Sequence, residues 1–263
     1  MKLENKVIIV TGCATGIGKA IAKKCLQEGA KVLAHDRNKS PLLDWTKKYD
    51  QENIQICIED LIHDSAANKI VDLAAEKFGQ IYALVNNAAF IPSASIHSTD
   101  AILFTELLRI NTIVPVELIK AALPYLTKSK GCVLNIGSVN AHGGEPNLFP
   151  YSVSKGALTT VTKNLGDSLM RENGIRVNQI NPGWVLTENE AKRKKEDGFK
   201  MDWFKDLPST FAPSGKIFSP EEIASTAIHL LSSEIGPISG QVWDIEQYPA
   251  SGRNPSKNGS STI

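Results

Sequence analysis

Two clusters of residues carry chemistry. The first is Thr11-Gly12-Cys13-Ala14-Thr15-Gly16-Ile17-Gly18, which follows a short apolar run and precedes a helical pattern. Glycines at that junction let the backbone approach a pyrophosphate, and the helix N-terminus offers free N–H donors and a positive dipole end. A tight turn also uses glycine, so the placement between strand and helix carries the nucleotide reading. Lys19-Ala20 follows Gly18, without the lysine and hydroxyl that phosphoryl transfer requires there. The second cluster is Tyr151 and Lys155, whose spacing puts a phenol and an ammonium on one helix face. This composition yields about 0.4 such spacings by chance. Alone, the pair reads equally well as an ordinary helix surface.

Asp36 lies 18 residues beyond Gly18, at the end of a second apolar run. A carboxylate there can accept both ribose hydroxyls and repel a 2′-phosphate, although a solvated turn acid is the plain alternative. Arg37 could instead bind a 2′-phosphate, but Thr15 leaves the glycine turn without a second cation. NAD is therefore favoured over NADP.

Positioning such groups needs a scaffold, and the elements alternate. Strands are expected at Lys6–Thr11, Lys31–Ala34, Ile54–Ile58, Ile81–Val85, Cys132–Ile136, Ile175–Ile180 and Gln241–Ile245. Helices are expected at Gly16–Gly29, from a Ser40 cap with Pro41, and at Asp64–Phe78 and Thr99–Leu126 with a kink at Pro115. Further helices are expected at Pro150–Asn173 and at Pro220–Ser232 after a Ser219 cap. Apolar strands between amphipathic helices make an α/β class protein: one Rossmann-type, doubly wound domain with a parallel sheet covered on both faces. That domain spans residues 1–248, with a charged insertion at 188–219 read as a substrate lid and a mobile tail at 249–263.

Composition bounds the partners. Twenty-nine basic and 28 acidic residues leave no basic excess for nucleic acid. No apolar run approaches the roughly 20 residues of a membrane helix, and the acid-containing start does not read as a signal peptide. Cys13, Cys25, Cys57 and Cys132 lack paired spacing, so no metal site is expected and the cytoplasm is the default address.

In order along the chain stand Gly12…Gly16-Ile17-Gly18, Asn86-Asn87-Ala88-Ala89, Asn111, Ser138, Tyr151…Lys155 and Asn181-Pro182-Gly183. Together they resemble the short-chain dehydrogenase/reductase family over residues 3–248. That resemblance implies a seven-stranded parallel sheet, commonly in a homotetramer, and hydride transfer between a substrate carbon and a nicotinamide. By resemblance, Tyr151 is the acid/base, Lys155 and the positive nicotinamide lower its pKa, and Ser138 donates to the substrate oxygen. The Asn111 carbonyl would anchor a water relaying protons to Lys155. Asp60-Leu61 would bind adenine, Asn87 and Ala88 the cofactor loop, and Thr187 the carboxamide in the segment Pro182-Gly183-Trp184-Val185-Leu186-Thr187. Two departures stand out. Ala89 replaces the family's glycine, and Asp244-Ile245-Glu246-Gln247-Tyr248 replaces Val-Asp-Gly-Gly at the subunit-contact end, leaving the catalytic positions untouched.

The segment between Ser138 and Tyr151 is polar, with Asn140, His142, Glu145 and Asn147. Directed hydrogen-bonding groups suit a sugar or polyol better than a steroid or acyl chain. Trp184 and Asn189 would complete the substrate site, Asn189 and Glu190 closing over the substrate as part of the lid, with His142 as a loop or packing residue and Lys192–Lys195 as a solvated helix face. Competing readings are an NADP-dependent carbonyl reductase of the 3-oxoacyl or steroid type, and a dinucleotide-binding sensor without turnover.

Overall fold

The computed structural model describes residues 1–196 and 198–250. Seven strands form one parallel sheet: β1 (Val7–Thr11), β2 (Lys31–Asp36), β3 (Ile54–Ile58), β4 (Ala83–Asn86), β5 (Cys132–Ile136), β6 (Arg176–Pro182) and β7 (Val242–Ile245). Their order is β3-β2-β1-β4-β5-β6-β7, so the chain reverses direction across the sheet between β1 and β4. Ligands of open α/β sheets bind outside the carboxyl ends at such a switch point.

Alternate residues of each strand feed opposite faces. Ile8, Val10 and Val32 join a core with α1 (Gly16–Gln27) and α9 (Pro220–Leu231). Ile9, Leu33 and Leu84 join the other core, with α3 (Ala66–Phe78) and α5 (Val114–Ser129). Burial on both faces explains why β1 reads as a continuous apolar run. The Ser219 hydroxyl accepts the Glu222 N–H in a full capping box, as expected.

Helix ends shift by up to three residues, and two of the differences have a clear cause. α2 spans Lys39–Thr46 with Asn38 at its N-cap, so Ser40 and Pro41 lie inside the first turn. Here the Asp36 carboxylate accepts the Asn38 N–H at 2.8 Å and sets the start. The single helix expected from Thr99 is divided into α4 (Ala101–Leu108), a π-helical turn at Arg109–Ile113, and α5. Val114 N–H donates to the Arg109 carbonyl, one residue beyond α-helical register. Pro115 contributes by lacking the N–H that the Asn111 carbonyl would otherwise receive. A four-residue helix, α6 (Asn140–Gly143), precedes α7 (Phe149–Asn173), and α8 (Glu188–Glu196) lies within the insertion. Among the described residues no helix is long and apolar enough to cross a membrane. The tail expected to be mobile lies, beyond residue 250, outside the described residues.

Candidate active site

A cleft of about 1460 Å³ opens at the carboxyl ends of the strands. Gly12, Thr15, Gly16 and Ile17 line its floor. Gly12 has φ 71°, and a Cβ there would lie 2.9 Å from the Ala88 backbone. Asn87 ties β4 to this turn: its Nδ2 donates to the Thr11 and Gly12 carbonyls at 2.8 and 3.1 Å. Thr11 Oγ1 in return accepts the Asn87 and Ala88 N–H groups. Gly18 does not reach the cleft. A Cβ there would overlap the Gly12 carbonyl and Asn87 Nδ2, so this glycine permits helix–strand packing.

Asp36 is buried at the end of β2, its Oδ2 accepting the Ala14 N–H at 2.9 Å. The carboxylate therefore holds both the glycine turn and the start of α2 while facing the cleft. Arg37 pairs with Asp60 at 3.4 Å on the rim, beside Leu61.

Tyr151 and Lys155 lie on the buried side of α7. Lys155 Nζ donates to the Ile136 carbonyl at 2.7 Å and stands 5.7 Å from the Tyr151 ring centre. Burial pushes the Tyr151 phenol up to about 12, with the Ser138 side chain and the Arg193 guanidinium pulling the other way. Burial also brings Lys155 down to about 8. Asn111 is fully buried in the π turn and lies off the cleft. Its side chain accepts the Phe90 N–H and donates to the Phe90 carbonyl and Ser154 Oγ, fixing the loop after β4 against α7.

Ser138 is held from behind. Its N–H donates to Asn181 Oδ1 at 3.1 Å, and Asn181 Nδ2 donates to Asp244 Oδ1 at 2.9 Å. His142 Nε2 meets the same Asp244 oxygen at 2.8 Å. The last strand thus supports the segment after Ser138, and His142 lies on α6 rather than in a loop, packed against Asp244. The departure after β7 also reaches the site: Glu246 and Tyr248 line the cleft, and the Glu246 carboxylate lies against Gly183.

Asn140, Glu145, Trp184 and Asn189 line the cleft with Pro182, Gly183, Val185 and Thr187. Asn147 does not. It is exposed, and its backbone carbonyl accepts the Ala94 N–H, which turns the residue outward. The basic cluster on α8 divides. Lys192 and Lys195 are exposed, whereas Arg193 and Lys194 line the cleft. Glu190 accepts Trp184 Nε1 at 2.9 Å and Arg193 Nη2 at 2.6 Å, leaving Arg193 Nε buried without a partner among the described residues. Lys194 Nζ lies 4.6 to 5.9 Å from the ring centres of Phe199, Trp184 and Trp203, a cation–π cage. Glu190 is the residue expected to close over the substrate, and its i,i+3 spacing to Arg193 is the signal that could have singled out Arg193 as well.

The turn holds an anion. Gly16 N–H donates to Glu188 Oε2 at 2.8 Å, and Lys19 Nζ donates to Oε1 at 3.0 Å. Burial alone would raise the Glu188 carboxyl, but its own N–H, Lys19 and Gly16 outweigh it and hold the group below the usual carboxylate value. Glu188 directly follows Thr187, whose Oγ1 accepts the Glu190 N–H and caps α8.

Residues 6–198 match the family described as short chain dehydrogenase. The chain belongs to that family. Among similar short-chain dehydrogenases is cdmF, a short-chain dehydrogenase/reductase of Talaromyces verruculosus, 32% identical over 93% of this chain and 96% of its own. L-fucose dehydrogenase of Mus musculus is 32% identical over 88% of this chain and 84% of its own. The 3-oxoacyl-[acyl-carrier-protein] reductase FabG of Thermotoga maritima is 30% identical over 94% and 98%. Short-chain dehydrogenases use NAD(P) as hydride carrier, and this site fits one. A glycine turn that already binds a carboxylate has the donors a pyrophosphate needs, and Asp36 borders the same cleft.

Proposed function

We propose that this chain is an NAD-dependent dehydrogenase that oxidises a secondary alcohol or hemiacetal of a sugar or polyol, with Tyr151 as acid/base. The observation carrying the reaction class is that buried Tyr151 and Lys155 share one cleft with the anion-holding glycine turn. Gly12, Thr15, Gly16 and Ile17 would hold the pyrophosphate and Asp36 the adenosine ribose. Asp60 and Leu61 would border adenine, Asn87 and Ala88 the second ribose, and Pro182, Gly183, Val185 and Thr187 the nicotinamide. Bound nicotinamide supplies the hydride acceptor and a positive ring. Tyr151 takes the alcohol proton; the Ser138 side chain and the Arg193 guanidinium offset the burial that keeps the phenol protonated, and the Lys155 ammonium, 5.7 Å from its ring centre, further favours phenolate. Ser138 holds the same oxygen, its own position fixed by Asn181.

Substrate class rests on the lining opposite the glycine turn. Asn140, Glu145, Asn189, Glu190 and Arg193 supply directed polar groups, and Trp184 with Trp203, stacked at 5.0 Å, adds a flat wall. The L-fucose dehydrogenase relative agrees with this chemistry. A second reading, an NADP-dependent carbonyl reductase, draws on rim-exposed Arg37 and the 3-oxoacyl reductase relative. A cytoplasmic homotetramer belongs to the favoured reading. Exposed Ile102, Ile113, Val116 and Val153 on α4, the π turn, α5 and α7 support association.

Turnover of aldoses including L-fucose, polyols and apolar alcohols with NAD or NADP, read by absorbance of reduced cofactor, tests the assignment. The highest kcat/KM is expected for a polyhydroxylated substrate with NAD. Better oxidation of a long-chain or steroid alcohol would overturn the substrate class, and preference for NADP the cofactor.

A further inference from the structure

The carboxylate of Glu188 bridges two helix N-termini. It belongs to the first turn of α8, where an acid is favoured by the helix dipole, and it accepts the first N–H of α1. The place it takes on α1 is where the cofactor reading puts the pyrophosphate, and Lys19 neutralises it there. Two anions cannot both hold the same N–H, and like charges brought this close repel. The bridge is open to exchange: the Glu188 side chain is 52% exposed and Lys19 31%. Its range of movement is short, because Thr187 packs on Gly16, where a Cβ would lie 3.1 Å from Thr187 Cγ2.

We propose that Glu188 is an internal competitor of the dinucleotide, a latch that holds the start of α8 on the glycine turn and is displaced when the pyrophosphate binds. The inference rests on the cofactor reading above and is independent of the substrate class. Displacement frees the α8 N-terminus, on which Glu190 and Arg193 are carried to the substrate side of the cleft. Cofactor binding and rearrangement of the substrate wall are then one event. The acid sets cofactor affinity from inside the chain, weakening binding in return for ready release.

The test is titration of the full chain with NADH and NADPH, followed by the fluorescence of its tryptophans, two of which, Trp184 and Trp203, line the cleft. Glu188→Gln keeps the size of the side chain and removes its charge. It should tighten NADH by about fivefold or more, as expected when a charge-assisted competitor is lost, and Glu188→Ala should move in the same direction. Inorganic pyrophosphate, titrated in the absence of dinucleotide, should bind Glu188→Gln more tightly than wild type. Raising salt should shrink the difference, since Lys19 and Glu188 are partly solvated. Unchanged or weaker NADH binding in both variants overturns the latch and leaves the cofactor reading standing. A wild-type chain that binds neither NADH nor NADPH overturns the cofactor reading and the latch with it.

Discussion

Replacing Gly18 with alanine adds one methyl where the first helix turn meets β1. The new Cβ would overlap the Gly12 carbonyl oxygen, which is backbone and cannot rotate away, and Asn87 Nδ2. Forcing a methyl into packed surroundings costs about 1–3 kcal/mol. Moving Asn87 also strains its bonds to the Thr11 and Gly12 carbonyls, each worth about 1 kcal/mol net. The higher helix propensity of alanine returns about 1 kcal/mol. The balance is a loss of about 2–4 kcal/mol, and at about 2–4 °C per kcal/mol in a chain of this size Tm should fall by about 4–16 °C. Gly143→Ala is the control, because nothing lies within 4 Å of a Cβ there. Thermal unfolding by circular dichroism at one protein concentration measures both, and the control should stay within about 0.5 kcal/mol of wild type. Gly18→Ala melting within about 2 °C of wild type would falsify the close-approach argument.

Tyr151→Phe should reduce turnover by about 10²–10⁴-fold with NADH binding nearly unchanged, because only the proton-carrying hydroxyl is lost. Retention of more than about a tenth of the rate would point to another acid/base. Asp36→Ala should weaken NAD by about 1–3 kcal/mol and improve relative use of NADP; a wild-type preference for NADP contradicts the premise. Arg193→Gln removes a cation that favours phenolate, so the rising limb of kcat/KM for alcohol oxidation should move to higher pH, with Arg193→Lys closer to wild type. A limb that stays in place would assign Arg193 to substrate contact alone.

The strands, their parallel sheet and the placement of the glycine turn were legible because long apolar runs have few ways to be buried on both faces. The π turn was not. It depends on tertiary bonds from Asn111 to Phe90 and Ser154, residues far apart in sequence. The outward turn of Asn147 depends in the same way on a backbone bond to Ala94. On α8 the basic run looked uniform, yet the helix phase sends Arg193 and Lys194 inward while Lys192 and Lys195 face water. Glu188 escaped notice because an acid opening a helix usually needs no partner beyond its own N-terminus.

Ser138 depends on a strand made more than 100 residues later. Asp244 secures Asn181 and His142, and Asn181 in turn secures the serine N–H. During synthesis, the glycine turn and β1–β5 emerge well before that support, and N-terminal regions begin to fold first. Through that interval the serine loop lacks its anchor. On the proposed reading, the proton-transfer site is completed only once Asp244 has emerged to secure Asn181.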